Sequence, residues 1–170
     1  MVYGFILWTF NTVKMKYIIP KGWHFSIPWI PRLYYNQLSY KWEVEFDKSC
    51  KYNIGIEQLD WNKLVGVTNH LNPRKDSIRI AWRYYNGVIQ LASYREENNK
   101  FTYLRLGEVK FGEKAIVELF FSNNFVRATV NGKCTTYLFK KKKWMWRLNP
   151  YFGGNMSAPH TMSLKLTKIK

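Results

Sequence analysis

The chain has 170 residues, enough for one domain with a substantial core, and 18% of them are aromatic. The formal net charge is +16, and all 11 acidic residues lie between Glu43 and Glu118, so both ends of the chain are purely basic. This charge favours an anionic partner or a surface that tolerates cations, while the apolar runs are too short for membrane insertion, which needs ~20 residues.

The first residues are apolar, but they do not have the pattern of an export signal. MVYGFILWTF has no basic region before its apolar stretch, and no small-residue cleavage site follows it. Met15 then opens the sequence MKYIIPKG, which is typical of a natural protein start. We therefore predict that residues 1–14 are an over-long start or an added edge strand, and that residues 15–170 form a single domain.

Strand patterns are clear from Leu38 onward. Before that point, three prolines interrupt an aromatic stretch and indicate extended edge segments or loops. From Leu38 to Asp47, apolar and polar residues alternate with the period of a strand that has one buried and one solvated face. Residues 50–63 predict a short helical turn, residues 64–68 a strand and residues 69–76 a loop. Further strands are predicted over Ser77–Tyr85, Val88–Tyr94, Lys100–Leu106, Ala115–Phe121, Phe125–Val130, Lys133–Phe139 and Thr161–Ile169.

Two pairs of these strands are joined by the dipeptide Asn-Gly, at Asn86-Gly87 and Asn131-Gly132. A type I′ hairpin turn favours this dipeptide because both central residues need positive φ. About ten short strands without a long amphipathic helix predict an all-β protein, an antiparallel β-sandwich of jelly-roll type. The residues expected to point into its core are Trp42, Phe46, Ile80, Trp82, Val117, Leu119, Val130 and Leu164.

Three carboxylates, Glu43, Glu45 and Asp47, share one face of a predicted strand. A pair of carboxylates flanking a glycosidic bond is the machinery of glycoside hydrolysis, so these are the candidate catalytic residues of a hydrolase. The alternative is a solvated strand face whose acids balance the nearby Lys41 and Lys48.

A second candidate site combines Arg79, Arg83 and Tyr85 on one strand face with Gln90 from the returning strand. Arginine and tyrosine in a groove can neutralise and deprotonate an acidic sugar, as a polysaccharide lyase requires. The same groove can bind such a polymer, or nucleic acid, without reacting. Ordinary outward-facing strand residues are the simplest interpretation.

A third candidate is the run Lys140, Lys141, Lys142 and Lys143 followed by Trp144 and Trp146, which predicts a cationic loop beside two aromatic rings. Lysines can follow phosphates or uronates while tryptophan stacks on a ring. A solvated loop that resists aggregation is the alternative.

Metal and nucleotide motifs are not found in the sequence. The three histidines are far apart, and the two cysteines, Cys50 and Cys134, lack metal-ligand spacing and are expected to be free thiols, with a single bridge as the alternative. No phosphate-binding or dinucleotide fingerprint is present. We therefore predict no metal site and no cofactor.

Four stretches carry a family resemblance: MKYIIPKG, WNKLVGV, SIRIAWRYYNG and NPYFGGNMSAPHTMSLKL. From about residue 15 onward, the chain resembles an uncharacterised family of small concanavalin-like β-sandwich proteins from gut Bacteroidales and their tailed (crAss-like) phages. The resemblance implies a jelly roll of the concanavalin A-like lectin/glucanase type, a phage or prophage origin, and a location in the host cytoplasm, the virion or both. It supplies no catalytic residues. The chain departs from the family at residues 69–76, because the family is histidine-rich in this segment whereas this chain has only His70 there.

These observations lead to one functional hypothesis with two alternatives. The hypothesis is a non-catalytic binding or structural module that contacts carbohydrate or a virion or cell-surface protein, with a polyanion as a further candidate partner. The first alternative is a polysaccharide hydrolase or lyase on the same fold. The second is a nucleic-acid-binding accessory protein that uses the basic ends.

Overall fold

The computed structural model describes residues 14–29 and 32–169, and strands predominate in this part of the chain. Alternating apolar and polar residues form twelve β-strands there, with two short 3₁₀ turns between the third and fourth strands. The strands are β1 (Lys14–Ile19), β2 (Leu33–Tyr35), β3 (Ser39–Phe46), β4 (Asn62–Thr68), β5 (Asp76–Tyr85), β6 (Val88–Glu97), β7 (Lys100–Val109), β8 (Lys114–Phe121), β9 (Phe125–Val130), β10 (Lys133–Leu138), β11 (Trp144–Leu148) and β12 (Met162–Ile169). The 3₁₀ turns are η1 (Lys48–Cys50) and η2 (Gly55–Leu59).

The strands form two antiparallel six-stranded sheets. The first sheet has the order β1-β12-β3-β8-β9-β10, and the second has the order β2-β11-β4-β5-β6-β7. The two sheets pack face to face as a β-sandwich, which confirms the predicted all-β jelly-roll class. No helix in the described ranges is long and apolar enough to cross a membrane.

The core lies between the inner faces of the two sheets. Strand β3 shows the principle: Tyr40, Trp42, Val44 and Phe46 are fully buried, while the residues between them point outward. Fully burying one large apolar side chain stabilises a fold by ~1.5–3 kcal/mol. The predicted inward residues are all buried, namely Trp42, Phe46, Ile80, Trp82, Val117, Leu119, Val130 and Leu164.

The two Asn-Gly turns have the predicted geometry. Asn86 and Gly87 have φ of 51° and 83°, and Asn131 and Gly132 have φ of 47° and 85°. Positive φ at both central residues is the signature of the type I′ hairpin, so both hairpin predictions are confirmed.

The two basic ends of the chain meet in the first sheet. β1 pairs antiparallel with β12, and Lys16 lies opposite Lys165. Lys14, the last residue of the segment predicted to be an over-long start or an added edge strand, is the first residue of β1 and lies opposite Thr167. The rest of that segment lies outside the described residues.

The segment Trp144–Leu148 corrects one prediction. No strand was predicted there, and its two tryptophans were expected to lie beside a cationic loop, but it forms β11, an inner strand of the second sheet between β2 and β4. Met145 and Arg147 are buried on one side of this strand, whereas Trp144 and Trp146 are exposed on the other. The sequence pattern did not indicate this strand, because it is only five residues long and an arginine occupies one of its inward positions.

Candidate functional site

The outer face of the second sheet is the side that points away from the core. On β5, Ile78, Ile80 and Trp82 point inward, so Arg79, Ala81, Arg83 and Tyr85 point to the outer face. On β6, Tyr94 lies opposite Arg79, and Gln90 lies opposite Arg83. The structure therefore brings the predicted set Arg79, Arg83, Tyr85 and Gln90 to one face.

Arg83 is held by several contacts on this face. Its Nε donates to Gln90 Oε1 at 2.9 Å and its Nη1 donates to the carbonyl oxygen of Leu59 at 2.7 Å. Its guanidinium carbon also lies 4.3 Å from the ring centroid of Trp61 and 5.3 Å from that of Tyr85. Arg83 thus holds the end of η2 over the sheet, and these contacts engage two of its five N–H donors.

Arg79 is placed differently. It is 7% exposed, and its Nη2 lies 3.4 Å from a carboxylate oxygen of Glu96. Its Nε has no hydrogen-bond partner among the residues that the structure describes. Burial lowers the pKa of Arg79, and the charge of Glu96 opposes that shift. A buried guanidinium with an unused donor is a costly arrangement unless something else completes it.

Lys63 of β4 is the second cation at this position, and the sequence did not single it out. Burial, and then the charge of Arg79, lower the pKa of Lys63 to about 8. Its Nζ lies 4.7 Å from the ring centroid of Tyr94. A β-bulge directly follows Lys63, since the register with β5 shifts between Lys63 and Val65. Bulges re-aim side chains and are frequent beside functional sites, but a bulge leaves no mark in the alternation that a sequence shows.

Gly66 explains how Arg79 lies flat on the sheet. A Cβ at position 66 would be 2.2 Å from the carbonyl oxygen of Ile78 and 2.8 Å from Cγ of Arg79. These distances are far inside van der Waals contact, so only glycine permits this approach of β4 and β5.

An open cleft of about 400 Å³ lies above these residues. Lys63, Arg79 and Glu96 line it from the sheet, residues 71–74 line it from one loop, and residues 148–151, 153 and 154 line it from the end of β11 and the loop that follows. Phe25 and Trp29 add aromatic surface from the segment after β1. The loop residue Tyr151 exchanges two backbone hydrogen bonds with Lys63, at 2.8 Å and 2.9 Å, which attaches the 148–154 loop to β4. The cleft therefore combines three cations, Lys63, Arg74 and Arg79, with the carboxylate of Glu96 and several aromatic rings.

A row of aromatic rings continues from β6 to the β7 edge. Tyr94 and Phe101 stack with centroids 5.5 Å apart, Phe101 and Tyr103 follow at 6.4 Å, and Tyr103 contacts Trp61 at 5.5 Å. Phe101 and Tyr103 are 57% and 50% exposed. Trp61 itself packs over the small pair Ala81 and Ala92, which lie opposite each other on the sheet.

Aromatic surface is also exposed at the opposite edge of the same face. Trp144 of β11 lies 4.6 Å from Tyr35 of β2, and Trp146 is 36% exposed. The neighbouring lysine run is only partly free: Lys141 Nζ donates to Asn36 Oδ1 at 2.9 Å, and Lys142 Nζ donates to the carbonyl oxygen of Asn69 at 3.4 Å. Lys140 and Lys143 remain exposed. The third predicted site thus has its tryptophans on the same face as the cleft.

The predicted carboxylate set lies on the other sheet. Glu43 pairs with Lys114 at 3.0 Å, and Glu45 pairs with Lys165 at 2.6 Å. The hydrogen bond from Lys165 lowers the pKa of Glu45. Asp47 accepts from the Ser49 amide at 2.9 Å and caps η1, which lowers the pKa of Asp47. These contacts favour acids that balance lysines on a strand face, with partners from adjacent strands rather than the predicted Lys41 and Lys48.

Metal ligands do not gather in the described part of the chain, where no three His, Cys, Asp or Glu residues come together. Cys50 is buried and Cys134 is exposed, and both are free thiols. The Cys50 thiol donates to the carbonyl oxygen of Ser163 at 3.2 Å, and burial raises its pKa.

No family model and no curated protein sequence match this chain. Solved structures do resemble it. A functionally unknown protein from Saccharomyces cerevisiae is 8% identical with a TM-score of 0.59, over 91% of this chain and 84% of that one. An alginate lyase from Alteromonas sp. 272 is 9% identical with a TM-score of 0.55, over 94% and 86%. The alginate lyase AlyC3 is 12% identical with a TM-score of 0.56, over 92% and 72%. At such low identity these comparisons show the fold, and the chain has the β-sandwich jelly-roll fold of these lyases.

Proposed function

We propose that the protein binds an acidic polysaccharide along the outer face of the second sheet. The observation that carries the proposal is the guanidinium of Arg79, buried below an open cleft with its Nε unpartnered among the described residues and with Lys63 beside it. A carboxylate entering the cleft would accept from both cations. Charge-assisted hydrogen bonds of this kind are about twice as strong as neutral ones.

The extent of the face suits a polymer rather than a single sugar. Six strands at ~4.8 Å spacing give a surface ~24 Å wide. The cationic cleft lies over β4 and β5, near its centre, and exposed rings lie towards both edges, with Phe101 and Tyr103 on one side and Tyr35 and Trp144 on the other. Flat rings stack on the apolar faces of sugars, so a chain crossing the strands would meet rings, then cations, then rings.

The fold comparison supports the same class of ligand. Two of the similar structures are named as alginate lyases, and alginate is a polymer of uronic acids. A uronate carries the carboxylate that Arg79 and Lys63 are placed to receive.

We favour binding over cleavage because several ionisable groups on this face already have partners. Glu96 is paired with Arg79, and Arg83 is engaged by Gln90 and the Leu59 carbonyl. One observation supports a second candidate, a β-eliminating lyase. Lys63, with a pKa of about 8, is neutral in part of the molecules at neutral pH, and it lies beside the cation that would neutralise a uronate carboxylate. A neutral amine in that position can accept the proton next to the carboxylate.

The test is to titrate the protein calorimetrically with sodium alginate, with a neutral glucan and with a DNA oligonucleotide. The proposal expects alginate to bind most tightly, and Lys63→Met to weaken it. Lys133→Met is the matched control, because Lys133 is an exposed lysine on β10 of the first sheet. Equal binding of the neutral glucan, with no effect of Lys63→Met, would overturn the proposal. Preferred binding of DNA would support the nucleic-acid alternative.

Cleavage is measured in the same samples. Elimination leaves an unsaturated uronate that absorbs in the ultraviolet. Absorbance that grows with wild type and not with Lys63→Met would establish the lyase, and a flat trace with retained binding supports the binding module. The phage origin, the virion or cell-surface setting and the location in the host cytoplasm remain predictions from the family resemblance.

A further inference from the structure

A second cationic cluster lies at the edge between the sheets, where the two acid-free ends of the chain come together. It consists of Arg32, just before β2, Arg147 of β11 and Lys168 of β12, arranged around the buried Tyr34. Arg147 and Lys168 are in phase with the inward residues of β11 and β12, so the cluster is separate from the outer-face cleft.

The side chains of Arg147 and Lys168 contact Tyr17 and Tyr34, and Arg32 joins them through its backbone carbonyl. Arg147 Nη2 donates to Tyr17 Oη at 2.7 Å, and the backbone amide of Arg147 donates to the carbonyl oxygen of Arg32 at 2.8 Å. Lys168 Nζ lies 5.5 Å from the ring centroid of Tyr34. Burial, and then the charges of Arg147 and Arg32, lower the pKa of Lys168. The charges of the same two arginines oppose the effect of burial on the pKa of Tyr34.

The charge of this cluster is not balanced within the described ranges. Arg147 is 7% exposed, yet no carboxylate of the described residues pairs with it, and its Nε has no hydrogen-bond partner there. A buried charge is normally paired. By contrast, the other buried arginines, Arg79 and Arg95, each have an acidic partner, Glu96 and Asp76. This edge thus carries three positive charges, and no carboxylate of the described residues is paired with Arg147.

We infer that this edge binds a phosphate group, either as the free ion or as a monoester. A carboxylate neutralises only one charge, whereas a phosphate monoester carries about −1.5 to −2 and offers several acceptor oxygens. Arg147 and Arg32 would donate from their guanidinium groups and Lys168 from its ammonium group. Bound phosphate would join the ends of β2, β11 and β12 and stabilise the contact between the two sheets.

The experiment follows the midpoint of thermal unfolding in increasing sodium phosphate, with sodium chloride of matched ionic strength as the reference. A glucose 6-phosphate series, with glucose as its reference, identifies the source. If glucose 6-phosphate raises the unfolding midpoint at a lower concentration than inorganic phosphate does, the ligand is an ester. If inorganic phosphate acts at the lower concentration, the ligand is the free ion. Either outcome supports the site.

The variants are Lys168→Met and Arg32→Gln, whose side chains are at least partly exposed and should be replaced without loss of folding. Losing one charge-assisted hydrogen bond should weaken apparent phosphate affinity about tenfold or more. Lys133→Met and Lys63→Met should respond as wild type does, which separates this site from the polysaccharide cleft. The inference would be refuted if phosphate raised the unfolding midpoint no more than chloride does, or if it raised the midpoint of Lys168→Met and Arg32→Gln as much as that of wild type. Arg147→Met is a supplementary variant, because this residue is buried and its loss can prevent folding.

Discussion

The variant Lys63→Met tests the outer-face cleft directly, because the pKa of Lys63 predicts how alginate binding should depend on pH. With a pKa of about 8, roughly nine-tenths of Lys63 is protonated at pH 7. A bound carboxylate favours the protonated form and raises that pKa. Between the free and bound values, linkage requires alginate affinity to fall about tenfold for each unit of pH.

The size of the effect follows from the strength of the contact. A hydrogen bond to a charged group contributes ~1.5–3 kcal/mol, which corresponds to a pKa rise of about 1–2 units and an affinity change of about ten- to hundredfold. Wild-type affinity should therefore fall from about pH 8 and level off by about pH 9–10. Lys63→Met should bind about ten- to hundredfold more weakly at pH 7, with little further change up to pH 9.

As the pH rises, the free energy of unfolding should increase while the alginate affinity decreases. The folded pKa of Lys63 lies below its ordinary value, so the unfolded state holds more protons between about pH 8 and pH 10.5. The energetic cost of burying this cation is fully present below pH 8 and disappears as the pH rises through that window. Lys63→Met should thus unfold at a higher temperature than wild type at pH 7. Calorimetric titration and thermal unfolding across this pH range, with Lys133→Met as the control, measure both effects. An alginate affinity that is flat between pH 7 and pH 9 in wild type would refute the reasoning.

Four other substitutions give separate checks. Gly66→Ala should destabilise the protein by ~1–3 kcal/mol or more, because its Cβ would overlap the backbone of β5; an unchanged denaturant midpoint would show that the strands can separate there. Gly87→Val and Gly132→Val should each cost at least ~1 kcal/mol in the same assay, because a β-branched residue resists the φ of 83° and 85° at these turns, and unaltered unfolding would contradict the type I′ assignment. Tyr103→Ala should weaken alginate binding by ~1–3 kcal/mol at every salt concentration, whereas Lys63→Met should also reduce the salt dependence; equal salt slopes for the two variants would dispute the separation of stacking from charge.

The fold could be predicted from the sequence because the patterns that indicate it are local. Alternation over β3 and β5 and the Asn-Gly dipeptides each depend on neighbouring residues, and together they limit the chain to an antiparallel sandwich. Strand β11 was missed for the opposite reason. It is short, and the buried Arg147 at an inward position breaks the apolar pattern, since its contact with Tyr17 comes from a strand about 130 residues away.

Only part of the candidate site could be predicted from the sequence. Arg79, Arg83, Tyr85 and Gln90 were found because strand period and hairpin register place them on one face. The different roles of Arg83 and Arg79 could not be predicted. Arg83 is held by Gln90 and the Leu59 carbonyl, whereas Arg79 pairs with Glu96 and its Nε has no partner among the described residues. Lys63 depends on a bulge and on burial by loops, which no local pattern encodes.

The position of β12 has a consequence for how the protein is made. This strand lies between β1 and β3, so Tyr17 meets Leu164 and Phe46 meets the same residue from the other side. On the ribosome, β1 and β3 are synthesised long before the strand that joins them, and both present unpaired backbone edges until it emerges. Such edges are templates for pairing with other chains, and closing so large a loop late slows folding. We expect yield in the cell to be sensitive to translation rate and chaperone supply, and a release of the chain before β12 to leave an aggregating product rather than a smaller stable domain.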